Sequence, residues 1–310
     1  MELNLNTRKI IFILSAALCL FPFMSPPVAL LLGLILAQLM DHPFLELNHK
    51  ATNWLLKFSV VGLGFGMNVF SAMQAGEEGV LFTIVSIFGV LTLGFVLGKF
   101  FKTERKTSFL IAAGTAICGG SAIAALSPVM KANEKEISVS LGIVFILNSA
   151  ALFLFPAIGH FLNLSQTQFG MWCAIAIHDT SSVVGAANKY GEQALQIATT
   201  VKLARALWII PVAFGTAFLF KSDKTKVKIP YFIGLFILAM LANTYLPFIK
   251  PFAPDVVSLS KKGLTLTLFL IGSGLSIKVI RSVGIKPFLQ GVILWAVISS
   301  VSLWAILELV

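Results

Sequence analysis

Apolar runs of about 20 residues recur from end to end of this chain, and the polar gaps between them reach about ten residues at most. A run of that length matches the thickness of a bilayer core crossed by an α-helix. A β-barrel would show shorter segments of alternating character instead. The pattern predicts an all-α, polytopic membrane protein of 10–11 transmembrane helices forming a single domain over residues 1–310. The spans are expected near 8–24, 26–40, 51–74, 79–101, 107–131, 136–160, 167–188, 192–220, 229–247, 258–280 and 286–308. The first carries Arg8 and Lys9 ahead of its apolar run, as a signal peptide does. Pro22, Pro26 and Pro27 follow, no small-x-small cleavage site is evident, and the second span begins at once, so it is read as a retained helix.

Two internal echoes overlie this pattern. Residues 61–76 and 270–284 align at an offset of 208, matching Gly64 with Gly272, Gly66 with Gly274, Val69 with Ile277 and Gly76 with Gly284. In the expected topology the two copies run in opposite directions, so the chain reads as a first repeat over 26–160 and an inverted second over 167–308. At an offset of 60, Ile117-Cys-Gly-Gly-Ser121 matches Ile177-His-Asp-Thr-Ser181. The span count makes these two copies parallel, so either the echo is chance or a span boundary is misplaced.

Charge adds orientation. With the N-terminus inside, fourteen basic residues fall on the inner side: Arg8, Lys9, Lys50, Lys99, Lys102, Arg105, Lys106, Lys221, Lys224, Lys226, Lys228, Lys278, Arg281 and Lys286. Four fall outside: Lys131, Lys135, Lys189 and Lys250. Cytoplasmic loops carry the excess of Lys and Arg, so the N-terminus is expected in the cytoplasm and an acidic loop at Glu77 and Glu78 outside. The net charge of +10 is then a matter of topology and needs no nucleic acid. At 57% hydrophobic and 12% charged the chain leaves no room for a soluble domain. Its three cysteines, Cys19, Cys118 and Cys173, all lie in apolar runs with no metal-ligand spacing, so neither a disulfide framework nor a metal site is expected.

The candidate chemistry concentrates between Gly114 and Arg205. The fifth span holds Gly114, Gly119, Gly120 and Pro128, all weak helix formers, with Thr115 and Ser121 beside them. A break there would free backbone groups, tolerated at membrane depth only where they line a cavity or are buried in protein. The half-helix after the break would present its positive end to an anion, although close packing through small residues gives the same pattern. The seventh span carries His178, Asp179, Thr180, Ser181 and Ser182. Asp179 is read as a ligand for a cation or proton, or as a salt-bridge partner of Lys202 or Arg205. His178 is read either as a proton carrier or as a buried imidazole without a duty. Thr199, Lys202 and Arg205 share one stripe of the eighth span, with Lys202 ten residues in. Charges at that depth cost about 2.5–3.5 kcal/mol each on insertion scales. One carboxylate cannot balance two cations, which favours an anion, and Arg offers it a fixed fork of donors. Asn68 and Asn148 read mainly as interhelical glue, and Glu134 and Glu136 as loop charges.

At residues 114–125, 176–187 and 201–211, and again at 268–276 and 290–299, the chain resembles a family of bacterial inner-membrane proteins named as sulfate exporters. The match covers most of the chain beyond about Leu55. More distantly it is similar to the bile-acid/sodium symporter and cation–proton antiporter superfamily. That likeness implies inverted repeats, a panel and a core domain, and crossed broken helices. The superfamily's CPGG-type turn looks like Cys118-Gly119-Gly120 without its proline, and the sodium ligand of the symporters has no assured match, Asp179 qualifying by location only.

The expectation is therefore a secondary transporter of a small anion such as sulfate or an organic sulfonate, lying in a bacterial inner membrane. Thr115, Gly119, Gly120, Ser121, Thr180, Ser181, Ser182, Lys202 and Arg205 are its candidate solute site, and His178 and Asp179 its coupling groups for H+ or Na+. No GxxxxGK[ST] motif is present and no cofactor is expected, so transport would be passive or ion-coupled. A cation/proton antiporter is the main alternative, followed by an anion channel, for which neither charge rings nor a filter repeat is visible. An intramembrane enzyme is disfavoured, because Ser181 sits too close in sequence to His178 and Asp179 to choose a triad geometry. A symmetric dimer fits the pattern and nothing requires it.

Overall fold

The computed structural model describes residues 4–21, 23–220, 231–275 and 284–310. Among the described residues the chain is helical and contains no strand, an all-α polytopic membrane protein. The helices are α1 (Leu5–Leu18), α2 (Pro26–Leu39), α3 (Leu45–Leu63), α4 (Val69–Phe101), α5 (Arg105–Ala116), α6 (Gly120–Leu126), α7 (Glu134–Phe161), α8 (Gln166–Ala176), α9 (Thr180–Tyr190), α10 (Glu192–Leu207), α11 (Ile209–Leu219), α12 (Tyr231–Tyr245), α13 (Ala253–Gly274) and α14 (Ile285–Leu309).

Five helical stretches among the described residues are long and apolar enough to cross a membrane unaided: Leu81–Phe101, Lys135–Phe161, Glu192–Leu219, Ala253–Gly274 and Ile285–Leu309. The other expected spans are shorter or interrupted. Helices α2 and α12 are apolar but of 14 and 15 residues. The fifth and seventh expected spans are each two half-helices, α5–α6 and α8–α9.

One expected loop is absent. Glu77 and Glu78, placed in an outer loop by the pattern, lie inside the unbroken helix α4. Glu is a good helix former, so a polar pair does not by itself end a helix. The chain turns earlier, through a short 3₁₀ segment at Gly64–Gly66. Asn243 donates to the Met67 carbonyl at 3.2 Å, the Thr244 hydroxyl accepts from the Val69 N–H at 3.1 Å, and Asn68 accepts from the Phe70 N–H at 2.8 Å. These bonds answer the backbone groups that the turn exposes. In the second copy of the 208-residue echo, Gly272 and Gly274 close α13, but Ile277 lies outside the described residues, as do Lys221, Lys224, Lys226, Lys228, Lys278 and Arg281.

The chain divides into two compact units. The first is Met1–Met73 with Pro230–Ile277. In it α13 packs on α2 and α3 along seams of small residues. A Cβ on Gly33 would fall 2.2 Å from the Phe269 carbonyl oxygen, and one on Gly272 would fall 2.4 Å from that of Leu30. Toward α3 the same reciprocity holds between Gly62 and Ser260 and between Gly263 and Ser59. Small residues allow such close backbone approach between membrane helices.

The second unit is Gln74–Ile229 with Lys278–Val310. Its core gathers Leu110, Ala113, Ile123, Leu126, Val144 and Ala213. Trp172 of α8 stacks on Phe155 of α7 at 4.1 Å between ring centroids and donates to the Ser299 carbonyl of α14 at 2.9 Å. Glu136, expected as a loop charge, is buried. Its carboxylate accepts from the Asn133 N–H at 2.7 Å and the Asn133 side chain accepts from the Glu136 N–H at 2.9 Å, a reciprocal cap at the start of α7. All of the expected site residues lie in this unit.

Candidate functional site

The helix formed by residues 105–126 breaks where its glycines cluster. Helix α5 ends at Ala116, and the Gly119 N–H reaches back to the Gly114 carbonyl at 2.8 Å. Gly119 has φ 62° and ψ −124°, a conformation open in practice to glycine alone. The helix formed by residues 166–190 breaks at the matching positions, through extended backbone instead of a left-handed glycine. Helix α8 ends at Ala176, Ile177 and Asp179 are extended, and α9 begins at Thr180. Ile117 and Ile177 occupy the same position after their half-helices, and Gly120 and Thr180 the same position at the start of the next. The 60-residue echo therefore marks two equivalent breaks.

The two breaks meet. A Cβ on Gly119 would lie 3.3 Å from both the Cβ and the N of Asp179, and 3.1 Å from Val144 of α7. A side chain there would crowd both neighbours and would also have to adopt the positive φ of Gly119.

Charged groups on α10 close the broken ends. Lys202 donates to the Ile177 carbonyl at 2.6 Å and to that of Ala174 at 3.2 Å. Arg205 donates through Nη2 to the Ala116 carbonyl and through Nη1 to the Ser86 hydroxyl of α4 at 2.7 Å. Both side chains are 0% exposed. Each cation thus sits at the C-terminal end of one half-helix, where the dipole carries about half a negative charge.

Asp179 acts at the opposite pole. It caps α9, accepting from the Ser182 N–H at 3.0 Å, the Ser181 hydroxyl at 2.7 Å and the Ser182 hydroxyl at 3.2 Å. A carboxylate is favourable at a helix N-terminus. Among the described residues no ion pair within 4 Å joins Asp179 to Lys202 or Arg205. The salt bridge weighed from the sequence is absent because each charge has a nearer helix end to satisfy.

Asn148 of α7 supplies the remaining support, its side-chain oxygen accepting from the His178 N–H at 3.0 Å. Replacing Asn148 with Leu should orphan that buried N–H. The expected loss is about 1–3 kcal/mol, read as a lower melting midpoint, with Asn148→Asp milder because it keeps the acceptor.

Several polar atoms in the same place remain unspent. Arg205 Nε, Asn148 Nδ2, both ring nitrogens of His178 and the Thr115 hydroxyl are buried without a partner among the described residues. Each belongs to a residue bonded into the crossover or adjoining one that is. Ser121 stands apart, being exposed, and Gly120 is half-buried, whereas Thr115, Gly119, Thr180, Ser181 and Ser182 are buried. Sequence reasoning missed Ser86, a serine in an apolar helix with no motif around it. No group of three or more potential metal ligands occurs among the described residues.

The model of the family described as Conserved hypothetical protein 698 matches residues 10–291. The chain belongs to that family. It is 57% identical over 279 residues to a UPF0324 membrane protein of Bacteroides thetaiotaomicron, covering 89% of this chain and 84% of that one. It is 50% identical over 305 residues to one of Bdellovibrio bacteriovorus, covering 96% and 94%. It is 51% identical over 303 residues to one of Shewanella oneidensis, covering 97% and 96%. No solved structure matches. Membership in this family agrees with the helical fold in placing the chain in a membrane, and the names of these relatives specify no solute.

Proposed function

We propose that the protein is a secondary transporter of a small anion, sulfate or an organic sulfonate, working by alternating access in a bacterial inner membrane with its N-terminus in the cytoplasm. The observation that carries this reading is the buried crossing of two interrupted helices, each closed by a cation from α10. Irregular backbone at membrane depth is tolerated where it lines a pathway or is buried in protein, and broken helices near the midplane are the common solute site of secondary transporters. The unspent donors favour an anion. Arg205 Nε–H, the Asn148 amide and the Thr115 hydroxyl can all donate, and a further cation would find only Asp179, already held by two serines. In this reading the crossover binds the solute through side-chain donors beside the breaks. His178, with neither ring nitrogen engaged, takes the coupling proton only together with the anion, whose charge offsets the cations of Lys202 and Arg205 beside it. The protein needs no cofactor and is not an enzyme, and Asp179 serves the fold of the site more than the ion.

The test is counterflow of labelled sulfate in proteoliposomes, with a panel of sulfonates and other anions and with imposed pH or sodium gradients. Saturable counterflow of one anion class is expected. Anion flux that never saturates would make the protein a channel. Flux of protons or sodium with no anion response would replace this reading with an antiporter. Asp179→Asn separates the two roles of that residue: the amide oxygen keeps the bond from the Ser182 N–H but its NH2 cannot accept from the two serine hydroxyls, so melting should fall by a few degrees while anion counterflow keeps its response to the gradient. If Asp179 instead carries the coupling ion, counterflow will become insensitive to the gradient.

A further inference from the structure

Apart from the crossover, the second unit carries an open groove of about 1040 Å³ between α4, α5 and α11. Its walls are apolar, with Phe88 and Phe95 of α4 facing Trp208 and Leu219. One end is basic and is lined by Lys99, Lys102 and Arg105. From Phe88 to the end of α4 at Phe101, directly before Lys102, is thirteen residues, about 20 Å at the helical rise. That exceeds one leaflet of a hydrocarbon core about 30 Å thick by little more than a headgroup.

The basic end is built to receive an anion. Lys99 lies 4.4 Å from the centroid of the Phe95 ring, and Arg105 lies 4.8 Å from that of Phe220, so aromatic faces hold both cations at the rim. Among the described residues no carboxylate forms an ion pair with Lys99, Lys102 or Arg105, although Glu104 shares the turn. Thr103 lines the same end, and its hydroxyl oxygen is buried without a partner among the described residues. Helix α5 starts there, and Glu104 gives it no side-chain cap. An apolar trough of leaflet length ending in three cations and a free hydroxyl fits a molecule with a long acyl chain and a negative head.

We propose that this groove is a binding site for an anionic phospholipid, with the phosphate at Lys99, Lys102, Thr103 and Arg105 and an acyl chain between Phe88, Phe95 and Trp208. Basic pockets between membrane helices are where acidic headgroups bind. The site is distinct from the crossover and does not depend on the identity of the solute.

The test compares the purified protein with phosphatidylglycerol and with phosphatidylcholine of the same chains, reading retained lipid by native mass spectrometry and melting by fluorescence. Phosphatidylglycerol should be retained selectively and should raise the melting midpoint. Two variants attack different halves of the site. Lys99→Gln/Lys102→Gln/Arg105→Gln removes the head contacts and should weaken phosphatidylglycerol retention about a hundredfold. Gly215→Phe fills the trough. Gly215 lines it and a Cβ there meets nothing within 4 Å, so the variant should fold and lose retention of either lipid. Should the triple variant fail to fold, Gly215→Phe and the single Lys102→Gln still decide. Equal retention of the two lipids by the unaltered protein, or selective retention that survives Gly215→Phe, would overturn the proposal. Displacement of the lipid by millimolar sulfate would overturn it too, since the groove would then belong to the solute path.

Discussion

Arg205→Ala should unfold the crossover before it does anything to transport. The guanidinium is 0% exposed and bridges Ala116 at the end of α5 to Ser86 on α4. Hydrogen bonds from a charged donor contribute about 1.5–3 kcal/mol each, so losing both should cost about 3 kcal/mol or more. The alanine also leaves the C-terminal end of α5 with no positive group against it. The expected result is a melting midpoint lowered by several degrees and no anion-dependent stabilisation. Arg205→Lys keeps the charge but loses the planar fork, and should reach the Ala116 carbonyl or Ser86 but not both. It is expected to recover part of the stability and little of the anion response. If Arg205→Ala melts like the unaltered protein and still responds to anions, Arg205 neither holds the break nor binds the solute.

The second large effect is expected at Gly119→Ala. The backbone there is at φ 62° and ψ −124°, and the added methyl would approach Val144 at 3.1 Å and Asp179 at 3.3 Å. Backbone strain of this kind costs about 1–3 kcal/mol for a residue with a side chain. The methyl also pushes the two breaks apart, so both stability and counterflow should fall. Gly120→Ala is the matched control. Its Cβ would stand 3.4 Å from Leu141 and Phe145, in ordinary contact, at the first position of α6. It should be nearly silent, because alanine favours a helix there. Equal effects at the two positions would mean that the glycines serve helix packing in general and not the crossing.

What the sequence revealed of this site follows from where its signals are local. Clustered glycines at 114, 119 and 120 disrupt the helical pattern within a few residues, so the break in the fifth span could be read directly, whereas the polar run at 178–182 reads as chemistry and does not by itself announce a second break. Lys202 and Arg205 are conspicuous because charge is rare in apolar runs. Three of their four partners are hidden because these are backbone carbonyls, which every residue has, and the fourth is the lone hydroxyl of Ser86. Arg205 bonds to a position 89 residues earlier, and no side chain at Ala116 advertises it. The role of Asp179 was half visible. Asp before Thr-Ser-Ser is a helix-start pattern, but in an apolar span the eye goes to the ion it could bind. The 60-residue echo leaves chance and a misplaced boundary both open in the sequence; the structure shows helix breaks at matching positions in the two copies. The loop expected at Glu77 and Glu78 was misplaced for the opposite reason: polarity was taken for a turn where the helix simply continues.

The pairing of α10 with earlier carbonyls has a consequence for how the chain is made. Lys202 and Arg205 are each costly to place in a bilayer alone. Their acceptors, at Ser86, Ala116, Ala174 and Ile177, all precede them in the chain. Synthesis from the N-terminus therefore presents every acceptor before the first of the two cations emerges. Helix α10 can enter a membrane that already holds its counterparts, whereas the reverse order would leave two unpaired charges waiting in hydrocarbon.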